Sequence, residues 1–229
     1  MKFPAAHPAV IGSVTTPSGL KLLARATLPA DAVEVRVDAL LQRGVTADAI
    51  AAALQARKHP VLLTLRIPAE GGQRAWKLAE RRAFYLNLLP HLEAIDVELA
   101  TAKAMRPVLD AATKAGKTIV LSAHALGKAA APAQFARWVA QHEGHAHTIL
   151  KVAGHIGSWR DLQRLAALLV NYPEKQIAVM GLGPHAPQSR AVLAALGSRL
   201  VYGWLDEPAA PGQPSAVEAR KMVEGLPPR

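Results

Sequence analysis

A chain of 229 residues with 51% hydrophobic and 19% charged residues holds enough apolar mass for one large core and lacks the polar excess of a disordered chain. No apolar run approaches the roughly 20 residues that cross a bilayer, and Met1-Lys2-Phe3-Pro4 does not open a secretory signal, so a cytoplasmic protein with no membrane partner is expected. The absence of cysteine excludes disulfides and thiolate chemistry, and the net charge of +10 is scattered with no run of four basic residues, which favours attraction of a small anion over nucleic-acid binding.

Short aliphatic and β-branched runs recur along the chain, with amphipathic stretches between them. In order, the predicted strands are Ala9–Val14, Ala32–Asp38, Pro60–Arg66, Ala94–Leu99, Thr118–His124, His147–Gly154, Gln176–Gly183 and Arg199–Leu205. Helical periodicity predicts helices over Thr46–Arg57, Gln73–Leu89, Thr101–Ala115, Pro132–His142, Ser158–Val170 and Gln188–Leu196, and again over Gln213–Glu224 after the last strand. The first connection, Thr15–Ala30, is crowded by Pro17, Gly19 and Pro29 and gives the weakest helical signal. Eight strands with helices between them predict a (β/α)8 TIM barrel forming a single catalytic domain over residues 1–229.

A parallel strand covered on both faces should be almost wholly apolar. Several of these are not. Side chains alternate along a strand, so Val33, Val35 and Val37 share one face while Glu34, Arg36 and Asp38 share the other. The same alternation sets Asp96 and Glu98 opposite Ile95, Val97 and Leu99, ends the third strand on Arg66 and the fifth on His124, and puts Lys151 in an aliphatic sixth strand. An antiparallel sheet with one wet face would give the same pattern, but the intervening helices favour parallel connections. The charged faces then point into the barrel, where ions must pair with one another or with a ligand, and polar groups at C-terminal strand ends read as catalytic.

Lys151 is the most informative residue. A partly desolvated lysine near cations is a candidate nucleophile that attacks a carbonyl to form an imine. The alternative is a structural lysine paired with Glu98 or Asp96. His124, one strand away, is a candidate proton shuttle, with Glu98 on the preceding strand expected to orient and support its ring. His142, His145, His147 and His155 have a metal-like composition, but the first three precede a strand without helical spacing, so a loop and no metal are expected. Gly181-Leu182-Gly183 and Gly71-Gly72 offer close backbone approach without a dinucleotide fingerprint.

Glu34-Val35-Arg36-Val37-Asp38, Thr64-Leu65-Arg66 with Glu70-Gly71-Gly72, Asp96-Val97-Glu98-Leu99, Ser122-Ala123-His124, Lys151-Val152-Ala153, Ser189-Arg190 and Ala210-Pro211-Gly212-Gln213, in that order, resemble type I 3-dehydroquinate dehydratase from about Val10 to Gln213. The resemblance implies a homodimeric barrel lyase that converts 3-dehydroquinate to 3-dehydroshikimate in the shikimate pathway of aromatic amino-acid biosynthesis without cofactor or metal. It assigns Lys151 as the imine-forming residue, His124 as general acid/base and Glu98 as its partner. Glu34, Arg36 and Arg66 would hold substrate hydroxyls, Arg190 and Gln213 the carboxylate, and Ser13 a further substrate contact. The chain departs from the family at Ala209, Ala125, Gly154 and Leu182. Other readings are a Schiff-base barrel lyase or aldolase acting on a different small carbonyl acid, and a catalytically degraded homologue.

Overall fold

A computed structural model of the protein describes residues 7–142, 148–210 and 212–227. The strands are β1 (Ala9–Val14), β2 (Ala32–Arg36), β3 (Val61–Thr64), β4 (Ala94–Glu98), β5 (Thr118–Ala125), β6 (Thr148–His155), β7 (Ile177–Leu182) and β8 (Leu200–Trp204). They form one eight-stranded sheet in the order β7-β6-β5-β4-β3-β2-β1-β8, and each registered neighbour pair is parallel. At the remaining seam the Arg199 amide donates to the Ile177 carbonyl at 2.9 Å, so the sheet curls into a nearly closed (β/α)8 barrel.

The helices are α1 (Pro17–Leu20), α2 (Val37–Gln42), α3 (Ala47–Gln55), α4 (Leu78–Leu88), α5 (Arg106–Lys114), α6 (Pro132–His142), α7 (Trp159–Asn171), α8 (Ala186–Ala195) and α9 (Ala216–Glu224). Their starts follow local chemistry. Thr46 caps α3 by accepting from the Ala49 amide, and Ser158 with Asp161 and Ser215 with Glu218 form capping boxes on α7 and α9. Several boundaries are corrected here: the third strand ends at Thr64, short of Arg66, and α5 begins at Arg106 rather than Thr101. The second strand stops at Arg36, because Val37 and Asp38 open α2, and α4 begins at Leu78 rather than Gln73 because residues 73–77 finish a loop over the barrel mouth. Residues 143–147, which include His145 and His147 of the histidine-rich stretch, lie outside the described residues. Among the described residues no helix is long and apolar enough to cross a membrane.

Apolar side chains occupy two zones. One lies between sheet and helices, with Val33, Val35, Leu63, Ile95 and Val97 facing helix residues such as Ile50, Leu54 and Val108. The other fills the lower barrel with Ile11, Leu62, Val120, Ile149 and Leu200. Above that plug the inward positions turn polar. Ser13, Glu34, Thr64, Asp96, Ser122 and Lys151 are all buried, so the apolar floor closes the barrel below a charged chamber.

Tyr85 of α4 ties this chamber to its shell. Fully buried, it donates its hydroxyl to the Asp96 carbonyl at 2.5 Å and accepts from the Leu65 amide at 3.0 Å. Burial pushes its phenol well above the usual range, so it remains a donor at any working pH. Tyr85→Phe strands a buried N–H and a buried carbonyl at almost no change in volume. We expect it to lower unfolding free energy by about 1–3 kcal/mol, read as a lower urea midpoint with an unchanged slope.

Candidate active site

Parallel register sets the height of each inward side chain. Ser122 of β5 lies level with Glu98 of β4 and with Lys151 of β6. His124 is two residues further along β5, about 6–7 Å nearer the mouth. A cavity of about 420 Å³ opens at this end, and Ser13, Glu34, Arg36, Arg66, His124, Lys151, Arg190 and Gln213 all line it. Glu98 does not.

The lysine is buried, with Nζ 3.0 Å from Asp96 Oδ2, 3.9 Å from Glu34 Oε1 and 4.2 Å from the centre of the Tyr202 ring. Its nearest charges are therefore anions, not the cations expected from the strand pattern, and Asp96 is one of the two partners that the alternative reading named. Asp96 is fixed in turn by the Ser122 hydroxyl at 2.6 Å and by Arg66 Nη2 at 2.9 Å. Burial opposes its ionisation, but Arg66 and Lys151 outweigh that cost and hold the carboxyl far below the usual carboxylate range. Glu34 accepts from Ser13 at 2.8 Å and from Thr64 at 2.9 Å, while Gln213 Nε2 reaches Ser13 Oγ at 3.4 Å.

The expected pairing of Glu98 with His124 is corrected by the geometry. Glu98 sits one layer too low, and its oxygens are taken by Arg66 Nη1 at 3.1 Å, the Ile67 amide at 3.0 Å and Arg81 of α4. His124 Nδ1 instead meets Glu70 Oε2 at 2.7 Å. Glu70 ends a short 3-10 turn, Pro68–Glu70, that Gly71 terminates at φ 85°, a left-handed conformation suited to glycine. Loop residues have no strand periodicity, so only the Glu70-Gly71-Gly72 motif marked this position in the sequence. Burial raises the Glu70 carboxyl to about 7, with Arg66 working against the rise and Glu98 and Asp96 adding to it. Burial, Arg66 and Lys151 push His124 well below the usual imidazole value, so its ring is neutral at neutral pH.

Arg190 of α8 is the outlier among these cations. It is buried, and the pull of burial lowers its guanidinium to about 10, which still leaves it charged at pH 7. Its Nη1 donates to the Tyr202 carbonyl at 3.2 Å, its Nε has no partner, and among the described residues no carboxylate pairs with it. Arg36 and Arg66, by contrast, each have a carboxylate within 3.1 Å. The cavity also takes in His155, Leu126, Met180 and Tyr202, which strand-charge reasoning did not assign to it. The Tyr202 hydroxyl is buried without a partner.

Fold and site together define a (β/α)8-barrel enzyme whose ionisable groups gather at the C-terminal strand ends. The chain belongs to the type I 3-dehydroquinase family, whose model matches residues 10–226. It is 30% identical over 207 residues to a 3-dehydroquinate dehydratase of Methanosarcina acetivorans, covering 86% of each chain, and 27% identical over 233 residues to the enzyme of that name from Enterococcus faecalis, covering 95% of this chain and 92% of that one. Among solved structures, the type I 3-dehydroquinate dehydratase of Clostridium difficile superposes with a TM-score of 0.85 at 18% identity, covering 98% of this chain and 94% of that one. The Enterococcus faecalis 3-dehydroquinate dehydratase superposes with a TM-score of 0.82 at 24% identity, covering 99% and 97%.

A buried guanidinium with no carboxylate partner among the described residues costs stability. Arg190→Met keeps the length of the side chain and removes the charge. We expect it to raise unfolding free energy by about 1–4 kcal/mol, and the gain should be flat between pH 5 and 8, because the arginine stays protonated throughout that window. Denaturant melts at three pH values check both points.

Proposed function

We propose that this chain dehydrates 3-dehydroquinate to 3-dehydroshikimate through an imine on Lys151, with His124 as general acid/base and Glu70 as the carboxylate that orients and supports it. The single observation that carries the reading is the juxtaposition, in one closed-bottomed cavity, of a buried lysine, a neutral histidine hydrogen-bonded to a carboxylate, and an arginine with no anion of its own. A small hydroxylated keto acid supplies the missing anion through its carboxylate, and a guanidinium can grip both oxygens. Gln213 and Ser13 stand beside that seat. Arg36, which spends Nε and Nη2 on Asp38, keeps Nη1 for a substrate hydroxyl, next to Glu34 and Arg66.

In the reaction, Lys151 gives up a proton and attacks the ketone, and that proton leaves with the expelled water as a cationic imine forms, on which the Tyr202 ring face exerts a favourable field. The cation acidifies the adjacent C–H. His124, neutral in the resting site, removes that proton and becomes an imidazolium opposite Glu70. The same proton then passes to the hydroxyl on the next carbon, which leaves as water. Hydrolysis of the imine frees the product and restores Lys151, so the net change is the loss of one water. The setting is the shikimate pathway, and the chain works there as a homodimer in the cytoplasm.

The test is the appearance of ultraviolet absorbance from the conjugated enoate when the protein meets 3-dehydroquinate; no absorbance change refutes the reading. The Glu70–His124 pair makes a sharper prediction. Because burial sets the Glu70 carboxyl near 7, protonation below that pH removes the charge that supports the imidazolium, so kcat should fall as pH drops through about 7. Glu70→Gln should abolish that limb and lower kcat at pH 8 by roughly 10²-fold. Glu98→Gln should keep the limb but move it to lower pH, because one of the anions that raise the Glu70 carboxyl is gone, while destabilising the fold by about 3–5 kcal/mol, because two buried arginines lose a partner. A limb that vanishes in Glu98→Gln and survives in Glu70→Gln would reverse the assignment.

A further inference from the structure

Asp38 stands in none of the roles above, yet its carboxylate is wholly buried and takes four hydrogen bonds. Two come from Arg36, Nε to Oδ1 at 3.0 Å and Nη2 to Oδ2 at 2.9 Å. The others come from main-chain amides, Arg66 to Oδ1 at 3.3 Å and Gln73 to Oδ2 at 3.1 Å. These amides lie at the two ends of the segment that carries Glu70. Between them the chain folds back on itself: the Gly72 amide donates to the Ile67 carbonyl at 2.9 Å, and a Cβ at Gly72 would stand 2.1 Å from the Arg66 carbonyl oxygen. One carboxylate therefore clasps both ends of the 66–73 loop and grips Arg36 at the same time.

We propose that Asp38 is a positioning residue that sets Glu70 against His124 and Arg36 against the substrate, so that binding and proton transfer depend on one buried carboxylate. The proposal rests on the reading of Glu70 and His124 as the proton-transfer pair. Four acceptor contacts on a fully buried anion fix its position far more tightly than any single bond, and among the described residues no other charged group binds the loop at both ends. Glu70 faces Arg66 from the end of β3, Asp96 and Glu98 from β4, and His124 from β5. A looser loop admits water to Glu70 and relieves the burial that raises its carboxyl.

Asp38→Asn keeps the shape but turns an NH2 toward two of the four donors. The expected result is a KM raised about tenfold or more through Arg36, together with an acid limb of kcat that moves from near pH 7 toward the ordinary carboxylate range by at least one pH unit. A purely structural Asp38 would lower the melting temperature and the active fraction while leaving KM and the limb where they were, and that outcome overturns the proposal. Hydrogen exchange on the unmodified protein gives a second reading that does not need the variant to fold. The Arg66 and Gln73 amides should exchange as slowly as those of the core strands; exchange as fast as that of exposed loop amides refutes the clasp. If the unmodified protein fails to turn over 3-dehydroquinate, the earlier reading falls, and the exchange rates alone decide whether Asp38 holds the loop.

Discussion

Charge buried inside a barrel has to be balanced inside it, and this constraint organises the whole upper half of the molecule. An ion taken out of water costs several kcal/mol unless partners replace its hydration. Asp96 is held by Arg66, Ser122 and Lys151, Glu98 by Arg66 and Arg81, Asp38 by Arg36 and two amides, and Glu34 by two hydroxyls. Tyr85 and the helices around the barrel hold the strands at the register that makes these bonds short. Arg190 is the imbalance that remains, and it lies on the cavity wall. The proposed recognition of a carboxylate rests on this buried cation, which has no carboxylate partner among the described residues.

The barrel was legible because two periodicities coincide in the sequence. Apolar runs of strand length alternate with amphipathic stretches, and within the runs charges fall on every second position. That alternation assigned Glu34, Arg36, Arg66, Asp96 and Lys151 to the interior. It failed where the backbone leaves the strand. Asp38 reads as the end of a strand but opens α2, and Glu70 sits in a 3-10 turn whose only mark is the glycine pair after it. The confusion of Glu98 with Glu70 has the same cause. Alternation gives the face on which a carboxylate lies but not its height, and a difference of one layer decides whether it reaches His124 or the arginines below.

The Glu70–His124 pair, proposed for proton transfer, shows how the balance sets protonation. His124 is kept neutral by burial beside Arg66 and Lys151, and Glu70 is kept close to its own titration point by burial among Glu98 and Asp96. In water near neutral pH a carboxyl is fully ionised and an imidazole keeps part of its charge. The surrounding arginines and carboxylates, packed at fixed heights, impose the difference. At the rim Ala209 offers a backbone amide that donates to Gln213 Oε1 at 2.7 Å, and its methyl group takes no part in this inner arrangement.

The central claim is that Lys151 forms a covalent bond to the substrate, and borohydride reduction during turnover of 3-dehydroquinate tests it most directly. Peptide mass analysis after reduction should place one adduct on Lys151, with activity lost in proportion to its formation, because reduction makes the imine permanent. An adduct on a different lysine, or full turnover with no adduct at all, would contradict the account.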